Sequence, residues 1–169
     1  MSLQRGELVL VDTNVIIEAH RTGCLPQIAD GFRLCTVETI IAETQAGSHN
    51  RRPEQNIDES WLRARIPQIG DVTDEQRADF VMQYQSVGLD AGERDLLIYA
   101  RGLEDAWFLN SPDMAVVRFA NQVGWLDRLV SLEAMSRVVK ARLTGNLRGN
   151  YLESWLSIAR TNLGSGVHR

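Results

Sequence analysis

The feature that most constrains this chain is the short run Leu8-Val9-Leu10-Val11, followed at once by Asp12-Thr13-Asn14 and then by Val15-Ile16-Ile17. Consecutive apolar residues without alternation suit a strand covered on both faces, as in a parallel sheet. Asp12 falls where that strand gives way to a helix, at the carboxyl edge where open α/β sheets collect ligands. Two readings of Asp12 are open from this stretch alone. It is either a helix N-cap, satisfying backbone N–H groups of the next turn, or a functional acid.

The alternation continues along the chain. A short helix over Asn14 to His20 is interrupted by Gly23 and Pro26, a second strand is expected over Leu34 to Val37, and a helix runs from about Glu38 until Gly47 stops it. Gly47 to Glu59 is polar, contains Pro53 and reads as a loop or insertion. Trp61 to Val72 admits a short helix and then an extended piece through Ile66-Pro67. Thr73-Asp74-Glu75-Gln76 opens a further helix ended by Gly88, and Asp90-Ala91-Gly92-Glu93 has the form of a capping box leading a helix to Gly102. A third strand is expected over Ala106 to Leu109, a helix over Met114 to Val123, and a fourth, edge strand at Trp125 to Leu126.

Strands alternating with helices predict an α/β three-layer sandwich with a central, mostly parallel sheet and extra C-terminal helices. Residues 1–130 make up that unit. From Ser131 the chain reads as helical, and residues 131–169 form an extension packed on the same domain. Its apolar stripes, Leu132, Met135, Val139 and Leu143, then Leu152, Trp155, Leu156 and Ala159, read as core, and Gly164 to Arg169 as a frayed end.

The net charge of -4 and a pI near 5.4 argue against a protein that grips nucleic acid by overall charge, while leaving room for a local basic rim. Lys140 is the only lysine among many arginines, whose forks suit phosphate oxygens. Cys24 and Cys35 lack CxxC spacing and read as free thiols of a reducing compartment. No apolar run approaches membrane-spanning length, so a cytoplasmic location without membrane contact is expected.

Four acids, Asp12, Glu43, Asp95 and Asp113, stand at the ends of strands or near the starts of helices. Asp12 and Asp113 enter one crevice if the strands they follow are neighbours. Carboxylates within about 5 Å of each other repel by roughly 3 kcal/mol per pair at an effective dielectric of about 20. Such a cluster needs protons or divalent cations, and oxygen-only ligands select hard ions, Mg²⁺ or Mn²⁺.

In this order the acids resemble the PIN-domain nucleases, whose commonest bacterial members are the VapC-type toxins of toxin-antitoxin pairs. The family opens with a strand ending in Asp-x-Asn, matched by Asp12-Thr13-Asn14. It carries a Glu in the helix after the second strand, matched by Ile41-Ala42-Glu43. Its third acid leads a helix of the form Asp-x-x-Ile-x-Ala, similar to Asp95 through Ile98 to Ala100, and its closing Thr-x-Asp is matched by Ser111-Pro112-Asp113 with serine for threonine. The resemblance covers Leu8 to Leu126. Glu93 competes with Asp95 for the third position, because residues two apart on a helix differ by about 200° in direction. The spacing to Asp113 favours Asp95 and leaves Glu93 as the capping partner of Asp90.

The resemblance implies hydrolysis of RNA phosphodiesters, with Mg²⁺ or Mn²⁺ held by Asp12, Asp95 and Asp113 and with Glu43 completing the site or orienting water. Asn14 and Ser111 would hold the carboxylates by hydrogen bonds. A positive rim is required around so acidic a crevice. Arg51 and Arg52, with Arg94 or Arg118, are its candidates, each equally a solvated surface arginine. Toxin membership would add an antitoxin protein and a homodimer. Two other readings compete. One is an inactive PIN-like module that binds RNA or protein; the other is a Mg²⁺-dependent phosphatase, disfavoured by Asn14 where Asp-x-Asp is expected and by the remoteness of Lys140.

Overall fold

A computed structural model describes residues 2–46, 56–85 and 88–164. Its strands β1 (Leu8–Val11), β2 (Arg33–Val37), β3 (Gln68–Gly70) and β4 (Trp107–Asn110) pair wholly in parallel, in the order β3-β2-β1-β4. Every residue of β1 and β4 is buried. Helices cover the sheet to give a three-layer α/β sandwich. Among the described residues these are α1 (Thr13–Arg21), α2 (Leu25–Gly31), α3 (Glu38–Gln45), α4 (Glu59–Arg65), α5 (Asp74–Gln83), α6 (Ala91–Arg101), α7 (Met114–Gln122), α8 (Leu132–Val139) and α9 (Glu153–Gly164). None of them is long and apolar enough to cross a membrane.

Two expectations from the sequence are corrected. Trp125 to Leu126 is not a strand: Leu126–Arg128 forms a single 3-10 turn, and on that side of β4 the described residues make one isolated parallel bridge, Leu109 to Leu129. The chain turns at Gly124, whose φ is +77°, and the Trp125 ring packs edge-on against Trp107 and Phe119, with centroids at 4.9 and 5.8 Å. The fourth strand is β3, in the stretch the sequence left ambiguous. Gly70 closes it because any Cβ there would collide with the Tyr99 ring.

The second correction lies in the extension. Helix α8 ends at Val139 because Lys140 adopts a left-handed conformation, φ 56°, so Leu143 leaves the apolar stripe and is exposed. Residues 140–152 then run back along α1 as a strap. Thr144 N–H donates to the Thr22 carbonyl (2.9 Å), Arg21 Nη2 to the Asn146 carbonyl (2.7 Å), Arg148 N–H to Glu18 Oε1 (2.9 Å) and Tyr151 O–H to the Asn14 carbonyl (3.3 Å). The buried Glu18 carboxylate is paired with Arg21 at 2.6 Å and Arg148 at 3.7 Å, and these partners hold it below the usual carboxylate range against the opposing effect of burial. Helix α9 returns against α7 and α8, and Leu156 and Ala159 belong to the same apolar core as Leu10 and Phe108.

Candidate functional site

The β1–β4 pairing builds the site. Register sets Val11 opposite Asn110, so the chain leaves both strands at one carboxyl edge, where the sheet order also reverses direction. Asp12 is buried there and does two things at once. Its Oδ1 accepts from Val15 N–H (2.9 Å), capping α1, and its Oδ2 accepts from Ser111 Oγ (2.5 Å), just beyond β4. Burial pushes the carboxyl up to about 6 and the Asp90 charge adds to the shift, while the Ser111 and Val15 hydrogen bonds oppose it.

Asp113 caps α7 by accepting from Ala115 N–H (2.6 Å), and its own N–H donates to Ser111 Oγ (3.3 Å). The Ser111 hydroxyl therefore links Asp12 to the Asp113 backbone. From the other side comes the first turn of α6, where Asp90 and Glu93 form a reciprocal capping box at 2.8 and 3.0 Å. Glu93 is nevertheless buried and faces the acids. Burial first, and then the charges of Asp90, Asp113 and Asp12, push its carboxyl up to about 7, although the Asp90 N–H bond opposes this.

Glu43 reaches the same edge from the end of α3. Its Oε2 accepts from Thr13 Oγ1 at 2.5 Å, and the carboxylate lies over Gly92 so closely that a Cβ there would stand 2.5 Å from Oε2. The absence of a side chain at position 92 is thus what lets Glu43 and the start of α6 meet.

Asp95, favoured on spacing, is not brought to this cluster. It is fully buried and accepts from Thr39 Oγ1 (2.5 Å), Arg77 Nη2 (2.8 Å) and Arg94 Nε (3.1 Å). Those partners outweigh the cost of burial and hold its carboxyl below the usual range. The third acid at the β1–β4 edge is Glu93. Arg94 is engaged by Asp95, Arg118 is exposed on α7, and Arg51 and Arg52 lie outside the described residues. Asn14 is exposed. Its backbone N–H helps to hold Asp12, and its carbonyl receives Tyr151.

No family model, curated protein or solved structure matches this chain. The donors of the site are carboxylates and hydroxyls, which fit a hard divalent cation, and the carboxyls of Asp12 and Glu93 are raised to about 6 and 7, chiefly by burial and then by neighbouring negative charge. As the side chains stand, no group of three or more His, Cys, Asp or Glu among the described residues is arranged to hold a metal ion. Convergence on one ion requires side-chain rearrangement around Asp12.

Three contributors escape a reading of the sequence. Asp90 was visible only as a cap, Thr13 only as the filler of Asp-x-Asn, and Tyr151 lies 139 positions beyond Asp12 with no local signal to connect the two.

Proposed function

We propose that the chain is a divalent-metal-dependent ribonuclease of the PIN-domain type, working at the β1–β4 edge with Asp12, Glu93 and Asp113 as its acids and Glu43 beside them. The observation that carries this reading is the meeting of buried acids from separate elements at one sheet edge, with Asp12 and Glu93 pushed up to about 6 and 7. Structural ion pairs lower carboxylate pKa values; a site built to receive positive charge raises them when that charge is absent.

Bound Mg²⁺ or Mn²⁺ would supply a water of lowered pKa and neutralise charge on the phosphoryl oxygens. The chain's own residues do the positioning. Ser111 and the first turn of α1 hold Asp12 at a fixed angle, α7 holds Asp113 by its cap, and Thr13 fixes one oxygen of Glu43 while the other is left to orient water. Glu93, which also accepts the Asp90 N–H, is the acid whose raised pKa a bound cation would bring back down. The toxin role, with its antitoxin and homodimer, belongs to the same proposal and rests on the resemblance.

A second reading, a PIN-like module that binds RNA or protein without cutting, is favoured by one observation, that no ligand trio stands ready-made among the described residues. The two separate in a single titration. With Mn²⁺ the nuclease cleaves RNA and its melting temperature rises, since an ion at about 100 times its Kd adds about 2.7 kcal/mol to stability. Both effects vanish in Asp12→Asn. A protein that binds RNA but shows neither effect is the non-cutting module.

A further inference from the structure

The strap along α1 carries a charge pattern unlike the rest of the molecule. Between Glu133 and Glu153 there are four cations, Arg137, Lys140, Arg142 and Arg148, and no acid, in a chain whose net charge is -4. All four side chains are exposed. Arg137 is paired with Glu153 and Arg148 leans on Glu18, but Lys140 and Arg142 have no ion pair among the described residues. Beside them, between α8 and the strap, lies an open groove of about 600 Å³ bordered by Arg137, Lys140, Leu143 and Leu147.

The direction of the strap matters more than its charge. Its contacts descend α1 in order, Thr144 at Thr22, Asn146 at Arg21, Arg148 at Glu18 and Tyr151 at Asn14. Eight helical residues span about 12 Å. The strap therefore leads from the far end of α1, past Arg148 beside Glu18, to Tyr151 where α1 meets the acidic edge, close enough for the Asp12 charge to add to the rise of the Tyr151 hydroxyl, which burial chiefly lifts to about 12.

We propose that this strap is a rail for the phosphates of a single-stranded RNA, with Lys140, Arg142 and Arg148 gripping the strand on its way to the β1–β4 edge. The inference rests on the nuclease reading for the identity of the strand, though not on cleavage. An acidic crevice repels a polyanion, and a line of guanidinium and ammonium groups leading to it supplies the missing attraction. Arginine forks match phosphate oxygens. The rail has no exposed aromatic ring on which bases could stack, so the grip is independent of sequence. An acidic protein segment is the competing occupant. RNA is favoured because the strap that carries the cations runs on past Arg148 to end beside the proposed reaction centre.

The test is binding of a labelled oligouridylate in EDTA, where no cleavage can occur, to wild type and to Lys140→Asn/Arg142→Gln. Asparagine tolerates the left-handed backbone of position 140. The expected result is an affinity at least about tenfold weaker and a salt slope smaller by about 1.4, from two lost phosphate contacts at about 0.7 each on a single strand. Arg142→Gln alone should give about half that change in slope. Unchanged affinity and slope overturn the rail. So does polyglutamate that displaces the RNA as well as unlabelled oligouridylate does. Binding through the rail without any Mn²⁺-dependent cutting leaves the rail standing and removes the nuclease.

Discussion

Glu93 and Asp95 lie two positions apart on one helix, both buried, yet they hold opposite states. Glu93 faces Asp12, Asp90 and Asp113 and is pushed up to about 7; Asp95 faces Arg77, Arg94 and Thr39 and is held below its usual range. The first is an acid among acids, which costs stability unless something positive arrives. The second is an acid among bases, which needs nothing further. Burial is common to both, so it is the sign of the neighbouring charge that separates a receptive site from a finished ion pair.

The widest separation should appear in activity. Glu93→Gln should reduce Mn²⁺-dependent RNA cleavage to background while the metal-free melting temperature stays equal or rises. Asp95→Asn protein that remains folded should still cut. The opposite pattern, with Asp95 essential to cleavage in folded protein and Glu93 dispensable, would break the comparison.

Next in size is the pH dependence of stability without metal. Asp12 and Glu93 have folded-state pKa values raised above their ordinary 3.8 and 4.5, so the folded chain keeps protons that the unfolded chain releases. Stability should therefore fall as pH rises from about 4 to 7 and level off above, by up to about 3 kcal/mol for each group. Urea unfolding at intervals from pH 5 to 8 reads this directly, and Glu93→Gln should remove its share of the slope. Asp95 acts with the opposite sign: its stabilisation is present at these pH values and is lost only as pH falls through its depressed pKa, below this window.

Asp95→Asn itself should cost about 3 kcal/mol, the lower end for breaking a buried pair because the two guanidinium groups keep some contact with water. Equilibrium unfolding near neutral pH measures it, and a loss below about 0.5 kcal/mol would mean that the Arg77–Asp95–Arg94 knot is not structural. The smallest change in stability belongs to Gly92→Ala. The three atoms nearest the new Cβ all belong to the Glu43 carboxylate, so that group should swing off Thr13 at a cost of about 1 kcal/mol or less, and the effect should appear in cleavage rate instead.

Much of the scaffold is legible in the order of residues alone. An unbroken apolar run marks β1, and short, mostly apolar stretches mark β2 and β4, since strands covered on both faces are built chiefly from such residues. The capping box at Asp90 marked α6 to within a residue. Strand β3 is legible only as an extended piece near Ile66-Pro67, because two half-buried residues and a buried glycine carry no periodicity. The apolar spacing from Leu132 to Leu143 implied a longer α8 than exists, because spacing does not register the left-handed turn at Lys140. Among the acids, Asp12, Glu43, Glu93 and Asp113 were all visible as candidates, but the choice between Glu93 and Asp95 was not. Spacing sets the angle between two side chains on a helix, not which of them looks toward the sheet edge.

The order of residues alone settled the alternation of strands and helices and the delivery of Asp12 and Asp113 to strand ends, because local burial and capping depend on near neighbours. The three-dimensional packing settled which acids share a field. Arg77 comes from α5 and Thr39 from α3 to claim Asp95, while Ser111 crosses from β4 to Asp12, and electrostatic energies follow distances in space rather than along the chain.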